Sequence, residues 1–229
     1  MLGIALKQQA LILFRAQTMC PKDRRLLQSL QTKNVIKDAF LEILSVLAFH
    51  QIRISQICEK AHITRTTFYY HYTDTYAVVD DILNDVMNLT EPKTEEVEAN
   101  LRALEPIVRG NDPKVLQDNE MLLPACHRYI RDPKFRLIMN EEVLASKIVS
   151  AIYERQKTVV GEVIARLTGL SEENAQRLFW FIVNGTFAVN KAYLCDRHRE
   201  EYYRTQLLML KFIFGGYQLL GVSPATDAQ

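Results

Sequence analysis

Residues 54–83 read ISQICEKAHITRTTFYYHYTDTYAVVDDIL, and the way this stretch folds decides what the rest of the chain is for. SQICEKA places Ile57, Cys58 and Ala61 on one inward face of a short helix, with Ser55 as its expected N-cap. His62 and Ile63 then form a tight turn. Such a turn takes a residue at positive φ, where Gly is the default and His is among the better tolerated substitutes. Thr64 is the expected cap of a further helix running to about Tyr72. Two short helices joined by a tight turn form a helix-turn-helix, whose second helix is free to enter a DNA major groove.

On that second helix Phe68 and Tyr72 are four apart and share a face, the one expected to pack inward. Arg65, Thr66, Tyr69 and Tyr70 spread over the remainder, giving a cationic fork, a hydroxyl and two phenols. That is chemistry for base edges and phosphates, and a series of exposed aromatics is unusual on a merely solvated face.

Working outward, TKNVIKDAFLEILSVLAF from Thr32 puts Val35, Ile36, Ala39, Phe40, Ile43, Leu44 and Leu47 on one expected stripe of a first helix. Asp74 is placed to cap a fourth, with Val78, Val79, Ile82, Leu83 and Val86 inward. Later helices are expected near 94–108, 113–131, 133–140, 142–168, 171–195 and 199–220, punctuated by Pro106, Pro113, Pro133, Gly169 and Gly221. With 8 Gly in 229 residues and helical spacing almost throughout, the chain reads as all-α. No internal repeat or low-complexity tract interrupts it.

The net charge of +1 conceals an asymmetry: residues 1–75 hold 10 Lys and Arg against 5 Asp and Glu, leaving 18 against 22 for the remainder. A basic head on an acidic body suits phosphate binding. The four cysteines, Cys20, Cys58, Cys126 and Cys195, lie far apart without a CxxC, which fits buried free thiols in a reducing compartment; Cys126 with His127, or Cys195 with His198, lacks the further ligands a metal needs. The opening residues MLGIALKQQALILFRAQTM have neither a signal-peptide pattern nor enough apolar length to span a bilayer. Enzyme signatures such as G-x-S-x-G, the P-loop and HExxH do not occur, so no catalytic residues, no cofactor and no metal are expected.

The stretch ISQICEKAHITRTTFYYHYTDTYAVV resembles the DNA-binding signature of TetR-family transcriptional regulators, above all in Phe68-Tyr69-Tyr70-His71-Tyr72. KDRRLLQSLQTKNVIKDAFLEIL is similar to that family's first helix and the basic arm before it, so the likeness spans about residues 22–87. It implies an N-terminal extension over 1–21, a helix-turn-helix domain over 22–75, and a helical regulatory and dimerisation domain over 76–229. It also implies base reading by Thr64, Arg65 and Thr66, and phosphate contacts from Tyr69, Tyr70 and His71. Two positions depart from the family pattern: the turn Gly is His62, and the Lys that starts the fourth helix is Thr75. Loss of that cation is expected to weaken binding evenly across sequences and to lower the salt slope by about 1.

For the body, RLFWFIVNGTFAVNKAYL and YYRTQLLMLKFIFGGYQLL resemble the two long helices through which TetR-like proteins dimerise, with Ile182, Gly185, Thr186 and Val189 as expected interface residues. Met121, His127, Met139, Tyr153 and Trp180, with Met87, Tyr129 and Phe135, are candidates to line an effector cavity, although each residue type is more often core. The resemblance implies a cytoplasmic, nucleoid-associated bacterial homodimer that binds a palindromic operator and answers to a small molecule. The alternative is a helical dimeric scaffold that kept this fold and lost operator binding.

Overall fold

The structure is a computed structural model that describes residues 20–88, 93–123, 132–193 and 199–220. Among the described residues every regular element is helical. The N-terminal extension, Cys126, His127, Tyr129, Cys195 and His198 lie outside them. The chain divides into two compact units, residues 1–79 and 80–229.

In the first unit α1 spans Pro21–Leu44, eleven residues earlier than the apolar stripe alone indicates, because Pro21 at the start pre-sets a helical φ. Leu26, Leu27 and Leu30 in this added portion are exposed, so no inward periodicity announces it. At about 100° per residue the buried arc runs from Ala39 through Ile36 and Phe40 to Leu44 and Leu41. Val35 falls outside that arc and is 47 % exposed, which corrects its expected place on the stripe.

Helix α2 covers Ile54–Lys60, and its N-cap is Arg53 rather than Ser55. The Arg53 N–H donates to Gln56 Oε1 at 2.8 Å, so a side chain three residues ahead satisfies the end that Ser55 was expected to serve. The helix closes by a Schellman arrangement: Ile63 N–H donates to the Cys58 carbonyl at 3.0 Å while His62 sits at φ 53°. This left-handed residue is what turns the chain. Helix α3 then spans Arg65–His71, capped by Thr64, whose Oγ1 accepts from Thr67 N–H at 3.1 Å. Helix α4, Thr75–Asn88, is begun by Asp74 accepting from Ala77 N–H at 2.8 Å, and it runs on into the second unit.

The second unit contains α5 (Thr94–Gly110), α6 (Pro113–Asp118), α7 (Pro133–Asn140), α8 (Ala145–Thr168), α9 (Glu172–Ala192) and α10 (Arg199–Leu219). Pro106 does not end α5; its ring is on the solvent side, while Leu104 and Val108 hold the helix from the buried side. The helix expected over 113–131 instead stops at Asp118, because Asn119 leaves helical backbone and turns its amide back onto the Val115 carbonyl at 2.9 Å. A 3-10 turn, Glu120–Leu122, follows. Another 3-10 turn, Glu142–Leu144, precedes α8.

Helices α8 and α9 form an antiparallel hairpin closed by Gly169 at φ 71°. They approach so closely that a Cβ on Gly161 would lie 2.9 Å from Gln176 Cγ. Helix α10 packs with α5 and α6 through Leu104, Val108, Leu116, Tyr203, Leu207, Leu210 and Phe214. A buried hydrogen bond of 2.7 Å from Gln206 to Asn190 joins α10 to α9. A directed hydrogen bond between two buried amides fixes the register of these helices more narrowly than apolar contact would.

Candidate nucleic-acid interface

Helix α3 is short, seven residues, and has little intrinsic stability, so its position is set by its anchors. Phe68 is fully buried and Tyr72 is 4 % exposed; their rings lie 5.9 Å apart, and Lys33 of α1 stands over the Tyr72 ring at 5.4 Å. Burying a Phe side chain contributes about 1.5–3 kcal/mol. Thr64 and the His62 turn fix the other end.

With Phe68 and Tyr72 inward, the helix presents Arg65, Thr66, Tyr69 and Tyr70 to solvent, Tyr70 at 82 % exposure. Two large phenols stand mostly in solvent, Tyr69 with one edge-to-face contact to Phe68 at 5.7 Å, flanked by a guanidinium and a hydroxyl on one rigid surface. Thr64 is also exposed, but its hydroxyl is engaged twice, by Thr67 N–H and by Thr67 Oγ1 at 2.9 Å, so only its methyl is available to a base. His71 is half-buried with its ring 5.0 Å from that of Tyr70. Desolvation, and then the nearby Lys33 charge, lower its pKa below the usual 6.5, so near neutral pH it offers a neutral imidazole. Burial raises the Cys58 thiol, partly countered by the Arg65 charge, which keeps it protonated and inert. Lys22, Arg24 and Arg25 at the start of α1 add exposed cations to this unit. Thr75 is half-buried at the first position of α4 and supplies no charge there.

The second unit has its own exposed apolar surface among the described residues. Ile182, Gly185, Thr186 and Val189 line one groove of about 340 Å³ between α9 and α10, together with Phe181, Leu208, Met209, Phe212 and Ile213. Phe181, Leu208 and Phe212 are 58, 65 and 70 % exposed, and the Gly185 backbone is bare, with nothing within 4 Å of a Cβ built there. Thr186 is the inward member of the four: it is buried and its hydroxyl donates back to the Ile182 carbonyl at 2.7 Å. The large α10 side chains are not singled out by the sequence reading, although their recurrence at 208, 212 and 219 is helical and each is well exposed.

The effector candidates among the described residues do not line one common cavity. Tyr153 and Trp180 meet edge to face at 4.9 Å on the outer side of α8 and α9, while Met121 stands 66 % exposed on the 3-10 turn after α6. Met87 is buried on α4. Met139 and Phe135 line a different space, a void of only about 10 Å³ shared with Ile152, Val183, Phe187 and Asn190. That holds one water at most. Residue type alone made these side chains candidates for a cavity; packing divides the described ones between the core and separate exposed places.

Among the described residues no group of His, Cys, Asp and Glu is arranged to hold a metal, and no helix is long and apolar enough to cross a membrane. No protein-family model matches the sequence. No curated protein matches it either. Among solved structures the chain is similar to one titled dihydroxyacetone kinase operon activator DhaS, with 14% identity, 82% of this chain and 97% of that chain covered, and a TM-score of 0.46. A likeness so slight carries neither fold nor function, and the site stands on its own geometry.

Proposed function

We propose that this chain is a TetR-like transcriptional regulator that binds double-stranded DNA as a homodimer. The observation that carries the reading is the outer face of α3, where Arg65, Thr66, Tyr69 and Tyr70 are exposed on a helix whose other side is locked by Phe68 and Tyr72. Arg65, one residue past the cap, reads a base edge through its guanidinium; Thr66 and the Thr64 methyl contribute apolar and hydroxyl contacts. Tyr69, Tyr70 and His71 hold phosphates and fix the register.

One seven-residue helix reads only a few base pairs, so a second copy is needed. The α9/α10 groove supplies it. Exposed Phe181, Leu208 and Phe212 face solvent beside the bare Gly185 backbone, so a two-fold mate presents its large side chains to the small ones here, and the reverse. The dimer sets two recognition helices about 35 Å apart along a palindromic operator. Such a regulator works in the cytoplasm on the nucleoid and is not an enzyme. A small effector that favours a dimer with differently spaced heads releases the operator in proportion to its preference between the two states, which makes the protein a ligand-responsive repressor.

Selection of the purified chain on a random duplex library, with the enriched pool rebound at two salt concentrations, tests this. A palindrome enriched at both is the expected outcome. A dimer that enriches no sequence, or binds only at low salt, would replace this reading with that of a helical scaffold, for which the uncharged Thr75 and the His62 turn speak.

A further inference from the structure

A second groove, of about 310 Å³, lies between α5 and α10 and is lined by Val108, Arg109, Lys211, Phe214, Gly215 and Gln218. Its size is at the lower end for small-molecule sites, about 300–1,000 Å³. Val108 and Phe214 belong to the apolar core of this unit and form the floor. Lys211, Gly215 and Gln218 recur at four and three residues and share one face of α10. At Gly215 a Cβ would meet nothing within 4 Å, so the groove passes over bare backbone.

The two cations differ in what they have left to give. Arg109 ends α5 and already donates to Glu105 at 2.6 Å, as expected of a residue serving its own helix terminus. Lys211 makes no ion pair among the described residues. It also stands more than two turns before the end of α10, beyond the reach of the terminal carbonyls. An ammonium that no described residue pairs with, an apolar floor and a primary amide two turns along the same face make a site for one negative charge on an apolar body.

We propose that this groove binds a small monocarboxylate with a short aliphatic or aromatic body, the carboxylate on Lys211 with help from Gln218, the body over Val108, Phe214 and Gly215. The site is separate from the DNA face and from the α9/α10 groove, and it does not depend on either.

The test is titration of the full-length protein with octanoate and, in parallel, octanol, followed by calorimetry and by amide chemical shifts. Octanoate is expected to saturate with shifts at Arg109, Lys211 and Gly215, and octanol to bind about tenfold more weakly, the loss expected of one charge-assisted contact. Lys211→Gln is expected to weaken octanoate by a similar factor and to erase its advantage over octanol. Gly215→Leu fills the groove and blocks both, with the parent's thermal melt retained. Equal affinity for the two probes, shifts confined to other residues, or unchanged octanoate binding in the exposed and structurally undemanding Lys211→Gln variant would each overturn the assignment.

Discussion

The outer face of α3 and the outer face of α9 and α10 are both helical surfaces left exposed among the described residues, and they differ in almost everything else. The first is cationic, hydroxylic and phenolic, with its aromatic rings carrying polar tips. The second is nearly devoid of polar groups, built from Phe181, Leu208 and Phe212 beside Gly185. A polyanion rewards the first face, because each contact replaces hydration and counterions with a directed hydrogen bond. Only another apolar surface rewards the second, because nothing there can bond to water or to phosphate. Exposure therefore does not carry function by itself; the chemistry of what is exposed selects the class of partner.

The largest expected effect breaks the apolar side of that contrast. Two-fold symmetry counts each substitution twice, so Phe181→Glu combined with Phe212→Glu is expected to raise the dimer dissociation constant by roughly a thousandfold or more. Sedimentation velocity over a dilution series measures it. A variant that stays dimeric would remove this face as the interface.

On the polar side, Arg65→Ala is expected to lose about 1–3 kcal/mol of discrimination at one operator position while leaving self-association unchanged. The check is competition between the selected operator and single-base variants. If neither affinity nor the preferred sequence changes, Arg65 does not read bases.

Thr64→Ala separates support from recognition. Loss of the cap is expected to cost about 1 kcal/mol of stability in urea melts, with Thr64→Ser recovering it. Because the hydroxyl is already engaged by Thr67 and only the methyl is free to meet a base, the serine variant is expected to keep the cap while relaxing preference at the base pair the methyl touches.

The smallest effect concerns pH. His71 has its folded pKa lowered from 6.5, so the unfolded chain binds its proton more readily than the folded one. The resulting stability is complete above the unfolded value and drains away as pH falls from about 6.5 through the lowered folded value. His71→Gln is expected to flatten that slope slightly in urea melts near neutral pH and near pH 5.5. A steeper slope in the variant would show the imidazole to be favoured in its charged form.

Much of the first unit was legible because its signals are local. Phe68 and Tyr72 four apart announce a buried face, Thr64 and Asp74 announce caps, and His62 occupies a position of positive φ that few side chains tolerate. The misreadings have local causes too. Pro21 starts α1 ahead of any apolar stripe, and Gln56 caps α2 from inside the helix, so Ser55 has no cap to make.

The amino-acid sequence alone determined the helical class, the helix-turn-helix and the residues that α3 turns outward, because turn, cap and period act over a few neighbouring residues. It did not decide where Met121, Met139, Tyr153 and Trp180 stand relative to one another, or that Phe212 and Lys211, adjacent in the chain, line different grooves. Those placements follow from how α5, α8, α9 and α10 pack, with Gly161 admitting α9 and Gln206 meeting Asn190, and such contacts join residues far apart in the chain. Tertiary structure settled them because a side chain's neighbours across a helix interface leave no periodic trace along the sequence.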